Sequence, residues 1–328
     1  MKMAHTARHM FIDGVASTGA EDSDFDFIVP GFIDIHCHGG GGKYFSESAD
    51  VAAQVHRLNG TVIQLASLVS ETIPTLIAQI KTLKDSDQIF GIHLEGPYLS
   101  QRFCGAHDPS LLKAPALSEV KDLVSIGEGK IKMVTMAPEL DGALEVIEYL
   151  VSQKVVVSIG HSNANAQQTR DAISAGATAV THINNGMSKL GALDSLSEVA
   201  LESELFLELI QDGHHVSRQD SLSIIHKAPH RIIAVTDAMS AAGCHDGGYL
   251  IGSLPVEVTG GVARLKGSQT LAGSTLTMVD SFINNFNLVG FESAVEFTSL
   301  NPAKLLGIDI PNSYIGVKDG LVTHLVNL

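Results

Sequence analysis

The sequence predicts an α/β fold, a (β/α)8 TIM barrel with a small β-domain built from both chain termini. Eight apolar, β-branched runs alternate with amphipathic stretches, the texture of βα units around a parallel sheet. Five of those runs deliver His, Glu or Asp at or just past their carboxyl ends, the face on which such barrels carry their chemistry. After the eighth run the texture changes to short alternating pieces joined by Gly-rich turns, as in a hairpin or small sheet.

The expected strands lie at 27–34, 62–67, 89–95, 131–136, 155–160, 177–182, 205–211 and 231–237. Helical spacing fills 48–58, 72–83, 140–152, 165–174 and 218–226 between them. Beyond the barrel, two helices are expected at 271–287 and 293–306, with Asn301-Pro302 breaking the second. Gly316 to Val322 gives a further hairpin signal. The expected organisation is therefore 1–29 as a shortened first part of the β-domain, 30–245 as the barrel, 246–267 as a β-hairpin insert of the β-domain, 268–308 as helices packing on the barrel, and 309–328 as the last part of the β-domain.

A chain of 328 residues with 45% hydrophobic content can bury a sizeable core. Its 21 Lys and Arg against 36 Asp and Glu give a formal charge of −15, which disfavours nucleic acid and anionic membranes as partners. An anionic substrate would need a local cationic pocket. The three cysteines, Cys37, Cys104 and Cys244, cannot all pair and match no zinc-module spacing, so a reducing compartment is expected. The first residues are too polar for a signal peptide and no run approaches the roughly 18 apolar residues of a membrane span, so a cytoplasmic protein is expected.

The chemistry-bearing residues follow from the strand ends. His36 and His38 flank Cys37, and strand alternation turns both imidazoles into the barrel mouth and the thiol away, a strong metal-ligand pattern. Gly39 to Gly42 would allow a close approach to a ligand, or simply a flexible turn. Glu95 precedes Gly96-Pro97, and a buried carboxylate there needs a cationic partner; it can ligate one metal or bridge two. With His161 and His182 it makes the two-His, one-carboxylate set of zinc sites that keep a position for water. His93 shares the parity of Glu95 and would sit one layer deeper as support. Asp237 ends the eighth run, where it could take a proton from water and pass it to a departing amine, or serve as an ordinary helix N-cap.

Seven stretches together resemble the N-acetylglucosamine-6-phosphate deacetylases of the amidohydrolase superfamily: Val29 to Gly39, Gly91 to Leu99, Gly105 to Pro109, Ser158 to Ala164, Ala179 to His182, Asp212 to Val216 and Val235 to Met239. Leu271 to Ser274 and Thr298 to Ala303 continue the likeness, so it spans about 30 to 306. The resemblance implies a barrel of the metal-dependent amidohydrolase type in which Glu95, His161 and His182 bind the catalytic metal and Asp237 is the acid and base. His36 and His38 match an H-x-H that some members use for a second ion, giving one or two divalent ions per subunit, zinc first, with iron, manganese or cobalt as alternatives. Ala106, His107, Asn185, Gly186 and His215 fall at positions that contact the amino sugar or its phosphate. Cys104 lies in a loop that resembles a mobile lid, and a homodimer is implied.

The chain departs from that pattern after Met187, where relatives usually carry an Arg-Glu-Pro-Gly segment. It reads Ser188-Lys189-Leu190-Gly191 here, so Lys189 becomes the candidate cation for the phosphate. The expected reaction is hydrolysis of the acetamido group of N-acetylglucosamine 6-phosphate, with the galacto isomer or an unphosphorylated sugar as alternatives. A cyclic-amide hydrolase is the rival, but many of those end strand four with a bridging lysine, and Lys132 lies at the wrong end of this one. A barrel that only binds sugar phosphate would have no need of Asp237.

Overall fold

A computed structural model describes residues 5–310 and 312–325. Residues 1–4, 311 and 326–328 of the two terminal segments fall outside that description. Eight parallel strands run in sequence order around the sheet: Phe32–Cys37, Thr61–Leu68, Gly91–Glu95, Ile131–Met136, Val156–Ile159, Ala179–Val180, Phe206–Leu209 and Ile232–Ala234. The eighth closes on the first just past its own end. The Asp237 amide donates to the His36 carbonyl at 2.8 Å and the His38 amide to the Ala238 carbonyl at 2.8 Å.

The helices between strands bury one apolar stripe each. In Ile73–Leu83 that stripe is Leu76, Ile80 and Leu83, at i, i+4 and i+7. Asn165 opens Ala166–Ser174 with a reciprocal cap, its side chain accepting from the Gln168 amide while the Gln168 side chain accepts from its own. Two helices beyond those expected, Leu117–Gly127 and Leu196–Glu202, complete the crossovers.

The expected first strand resolves into two. Phe25–Pro30 belongs to a terminal sheet and Phe32–Cys37 to the barrel, with Gly31 between them. A Cβ on Gly31 would lie 2.4 Å from Val62 Cγ1, so only glycine lets the chain change sheets at this point. The terminal sheet joins Ala7–Ile12, Val15–Thr18 and Phe25–Pro30 to Tyr314–Lys318 and Leu321–Leu325 from the other chain end. Its packing face brings Phe27 against Phe282 at 5.1 Å between ring centroids.

The segment expected as a hairpin of this β-domain does not join it. Gly247–Ile251, Leu254–Thr259 and Val262–Leu265 form a separate three-stranded sheet. Its apolar face, Ile251, Val256, Val258 and Ala263, packs on Met239, Ala241 and Ala272 beside the barrel mouth, and that burial decides where it sits. The helix expected from 271 begins only at Met278, because Gly273 at φ +64° and the Ser274 amide bonded to the Asp237 carbonyl hold 271–277 as extended chain along the eighth strand. Pro302 does not break the last helix. The helix runs without a break from Phe291–Val295 through a π-turn at Glu296–Leu300 into Asn301–Leu306, and the wider π-turn just before Pro302 accommodates the backbone donor that proline lacks. Among the described residues no helix is long and apolar enough to cross a membrane.

Candidate active site and metal centre

The strand ends place the site. His161, His182 and Asp237 stand just past strands five, six and eight at φ +46°, +29° and +48°. A left-handed backbone is costly for such residues, of order 1–3 kcal/mol each, and persists where the surroundings over-determine it. Leaving the ladder in this way turns each side chain into the mouth. Two glycines hold the His161 ring between loops. A Cβ on Gly105, at φ +58°, or on Gly186, also at φ +58°, would come within 2.9 Å of its imidazole.

Glu95 is the hub. Its Oε1 lies 3.1 Å from both His161 Nε2 and His182 Nε2 and 3.5 Å from His36 Nε2; its Oε2 lies 3.3 Å from His38 Nε2 and 3.3 Å from His107 Nε2. Asp237 Oδ1 lies 3.2 Å from His38 Nε2 and 3.5 Å from His36 Nε2. All of these residues are buried.

The second nitrogen of each ring fixes what the first can do. His161 Nδ1 donates to the Phe103 carbonyl at 2.7 Å, His38 Nδ1 to the Ser67 carbonyl at 3.1 Å, and His36 Nδ1 to Glu208 Oε2 at 2.9 Å. With one proton on each ring, all three present an Nε2 lone pair to carboxylate oxygens, a contact that a metal cation or a second ring proton satisfies. Donors at Zn–N and Zn–O lengths of roughly 2.0–2.1 Å stand about 3.3 Å apart around a tetrahedral ion. The 3.1–3.5 Å separations around Glu95 and Asp237 fit that edge. His182 Nδ1 is buried without a partner among the described residues.

His107 has the opposite tautomer. The Ser70 amide donates to its Nδ1 at 3.2 Å, so the ring proton sits on Nε2. Burial lowers its pKa and keeps it neutral, which makes it a hydrogen-bond donor to the site, although its atoms cluster with Glu95 and His161 within ligand distance. A third cluster, Asp34, Cys37 and His56, is also within ligand distance. His56 Nε2, the ring atom 3.1 Å from Cys37 Sγ, donates there to the Gly39 carbonyl at 2.9 Å, and Asp34 already accepts from Thr236 and from the His36 amide, so the atoms that face one another in this group are engaged by the protein itself.

Electrostatics agree. Burial would raise the Glu95 carboxyl, but His36, His107 and His161 hold it well below the usual carboxylate range. Burial would likewise raise Asp237, yet His36 and His38 hold it down at about 2. Burial lowers His38, but bonding to Asp237 and Glu95 pushes it up to about 9. His36 is raised too, despite burial, by Glu95, Glu208 and Asp237. These carboxylates draw positive charge to the Nε2 positions.

His93 lies beneath this layer, bonded to Ser67 Oγ at 2.9 Å and Thr135 Oγ1 at 2.8 Å, with its ring 4.7 Å from that of His36. Cys37 turns outward to His56, 3.1 Å away. The glycines after His38 approach backbone, not the cavity. Gly41 and Gly42 donate to the Ala242 and Ser240 carbonyls at 2.8 Å each and so help close the barrel. Above the centre opens a cavity of about 320 Å3, lined in part by Ala106, His107, Asn185, Gly186, Lys189 and His215. His215 Nδ1 donates to Asp212 Oδ2 at 2.7 Å, and Lys189 Nζ donates to the Asn184 carbonyl at 2.6 Å. Cys104, partly exposed, lies in the segment whose Phe103 carbonyl holds His161. Glu208 was not singled out by sequence; the available signal was a carboxylate inside the apolar run Phe206-Leu207-Glu208-Leu209.

Comparison with known proteins accords with this geometry. The amidohydrolase family profile matches residues 27–318. The chain is 35% identical over 303 residues to N-acetylgalactosamine-6-phosphate deacetylase of Escherichia coli O157:H7, covering 88% of this chain and 80% of that one. It is 33% identical over 303 residues to N-acetylglucosamine-6-phosphate deacetylase of Vibrio furnissii, covering 86% and 74%. A solved structure of the Mycobacterium smegmatis N-acetyl-D-glucosamine-6-phosphate deacetylase, a mutant in complex with N-acetyl-D-glucosamine-6-phosphate, superposes with TM-score 0.91 at 34% identity, covering 98% of this chain and 96% of that one. The chain belongs to the amidohydrolase family and groups within it with the N-acetylhexosamine-6-phosphate deacetylases.

Proposed function

We propose that this protein hydrolyses the acetamido group of N-acetylglucosamine 6-phosphate, giving glucosamine 6-phosphate and acetate, the substrate named for its relatives from Vibrio furnissii and Mycobacterium smegmatis. The observation that carries the reading is Glu95 set among the Nε2 lone pairs of His36, His38 and His161, with Asp237 3.2 Å from His38 on the cavity wall. A divalent cation, zinc first with iron, manganese or cobalt as alternatives, would be held by Glu95, His161 and His182, with His36, His38 and Asp237 able to hold a second, and supplies Lewis acidity toward the amide carbonyl together with a lowered pKa for water.

The protein's own residues do the rest. Asp237, ionised at neutral pH, accepts a proton from the attacking water and returns it to the amine nitrogen, which otherwise leaves poorly. His107 directs its Nε2 proton toward the acetamido oxygen, where negative charge develops. Ala106, Asn185 and Gly186 shape the sugar subsite, and His215 and Lys189 face the phosphate. Lysine there acts as a point charge and not as a bidentate fork, which lowers discrimination for phosphate geometry.

The galacto isomer is a second reading, supported by the relative from Escherichia coli O157:H7. A cyclic-amide hydrolase fits less well: Thr135, near the end of strand four, is bonded to His93 and Thr181, while Lys132 Nζ lies over the Phe90 ring. A cytoplasmic homodimer completes the proposal, and size-exclusion chromatography with light scattering tests its assembly. Acetate release from both N-acetylhexosamine 6-phosphates and from free N-acetylglucosamine, with elemental analysis of the same sample, tests the function. Turnover of a phosphorylated sugar by the metal-loaded protein is expected. No acetate from any of the three would overturn the reading.

A further inference from the structure

We propose that Glu208 is a positioning residue of this centre, committing His36 to the one tautomer that can hold a cation. The inference rests on reading His36, His38 and Asp237 as a cation position. Glu208 lies on strand seven with its side chain fully buried. Its ion-pair partner among the described residues is His36. A carboxylate accepts and cannot donate, so the 2.9 Å contact from Glu208 Oε2 places the ring proton on His36 Nδ1. The lone pair then falls on Nε2, 3.5 Å from both Glu95 and Asp237. Without that acceptor the other tautomer would be equally open, and its Nε2 proton would fill the cation's place.

The same oxygen also reaches strand six. Glu208 Oε2 accepts from the His182 amide at 3.2 Å, and the Glu208 carbonyl accepts from the Ile183 amide at 2.8 Å. His182 is the residue at φ +29°. One buried side chain therefore ties the H-x-H strand to the backbone that presents His182. It also adds a third buried acid beside Glu95 and Asp237, favouring positive charge at the centre.

Equilibrium dialysis of the full chain against Zn2+, read by elemental analysis, tests the proposal. The unaltered protein is expected to bind two equivalents. Glu208→Gln can keep a neutral oxygen at the position shared by His36 Nδ1 and the His182 amide but loses the negative charge that strengthens the His36 bond and raises the basicity of its Nε2, so one equivalent should bind 10–100-fold more weakly while the other is unchanged. In a His36→Asn background the same change should add almost nothing, because its effect runs through His36. Two tight equivalents in Glu208→Gln, equal weakening of both, or a full effect in the His36→Asn background would each overturn the role. A single equivalent in the unaltered protein would instead overturn the underlying second cation position. Should Glu208→Gln fail to fold, 15N-histidine NMR of the unaltered zinc-loaded protein decides the matter. The resonance missing from His36→Asn should carry its proton on Nδ1, and the opposite tautomer would refute the proposal.

Discussion

The Asp237 amide donates to the His36 carbonyl at 2.8 Å, so the bond that closes the barrel also sets the proposed proton carrier beside the H-x-H pair. The side chains repeat the contact at 3.5 Å. Fold closure and site assembly are one event at this seam, and the chemistry should be sensitive to side chains there.

Asp237→Asn removes proton transfer while keeping shape. It should lower kcat by roughly 10²–10⁴. The ion held by Glu95, His161 and His182 should remain, whereas a second ion, which Asp237 would touch, should weaken. Near-normal kcat in a stopped acetate assay would sink the role.

His161→Gln and His182→Gln should each lose that first ion and activity together, since a three-ligand site does not tolerate the loss. Replacing His36 and His38 together should lower metal content by one equivalent only. Full metal content in both single variants would place the ligands elsewhere.

The tautomer of His107 separates a donor from a ligand. His107→Gln should therefore keep its full metal complement and lose about 10²–10³ in kcat, the cost of one oxyanion donor. Metal loss in that variant would make His107 a ligand after all.

The sequence carried much of the site because strand parity is local. His36 and His38 face inward and Cys37 outward on alternation alone, and the register Ser158↔Ala179 and Leu207↔Ile232 follows from successive βα units. Other features needed tertiary pairing. That the two chain ends share one small sheet was expected, but its register, Tyr314 opposite Pro30, is not local to either segment. The three-stranded sheet was placed with the wrong neighbour because its alternating pattern says that one face is buried, not against what. Glu208 read as strand texture because its partners, His36 and the His182 amide, lie on strands one and six.

The last prediction concerns the cation that meets the phosphate. A sugar phosphate brings about −1.5 to −2 charges to a protein already at −15. Lys189 lines the cavity, and its ammonium is occupied by one bond to the Asn184 carbonyl, which leaves two of its three donors for phosphate oxygens. His215, oriented by Asp212, directs its other nitrogen from the same wall. Lys189→Ala should therefore raise KM for N-acetylglucosamine 6-phosphate about tenfold, leave kcat nearly constant, and leave the unphosphorylated sugar untouched. The effect should shrink with added salt, as expected for a point charge at a part-open rim. Equal changes for both sugars, or none for either, would remove Lys189 from the phosphate subsite and leave His215 as the group to replace next.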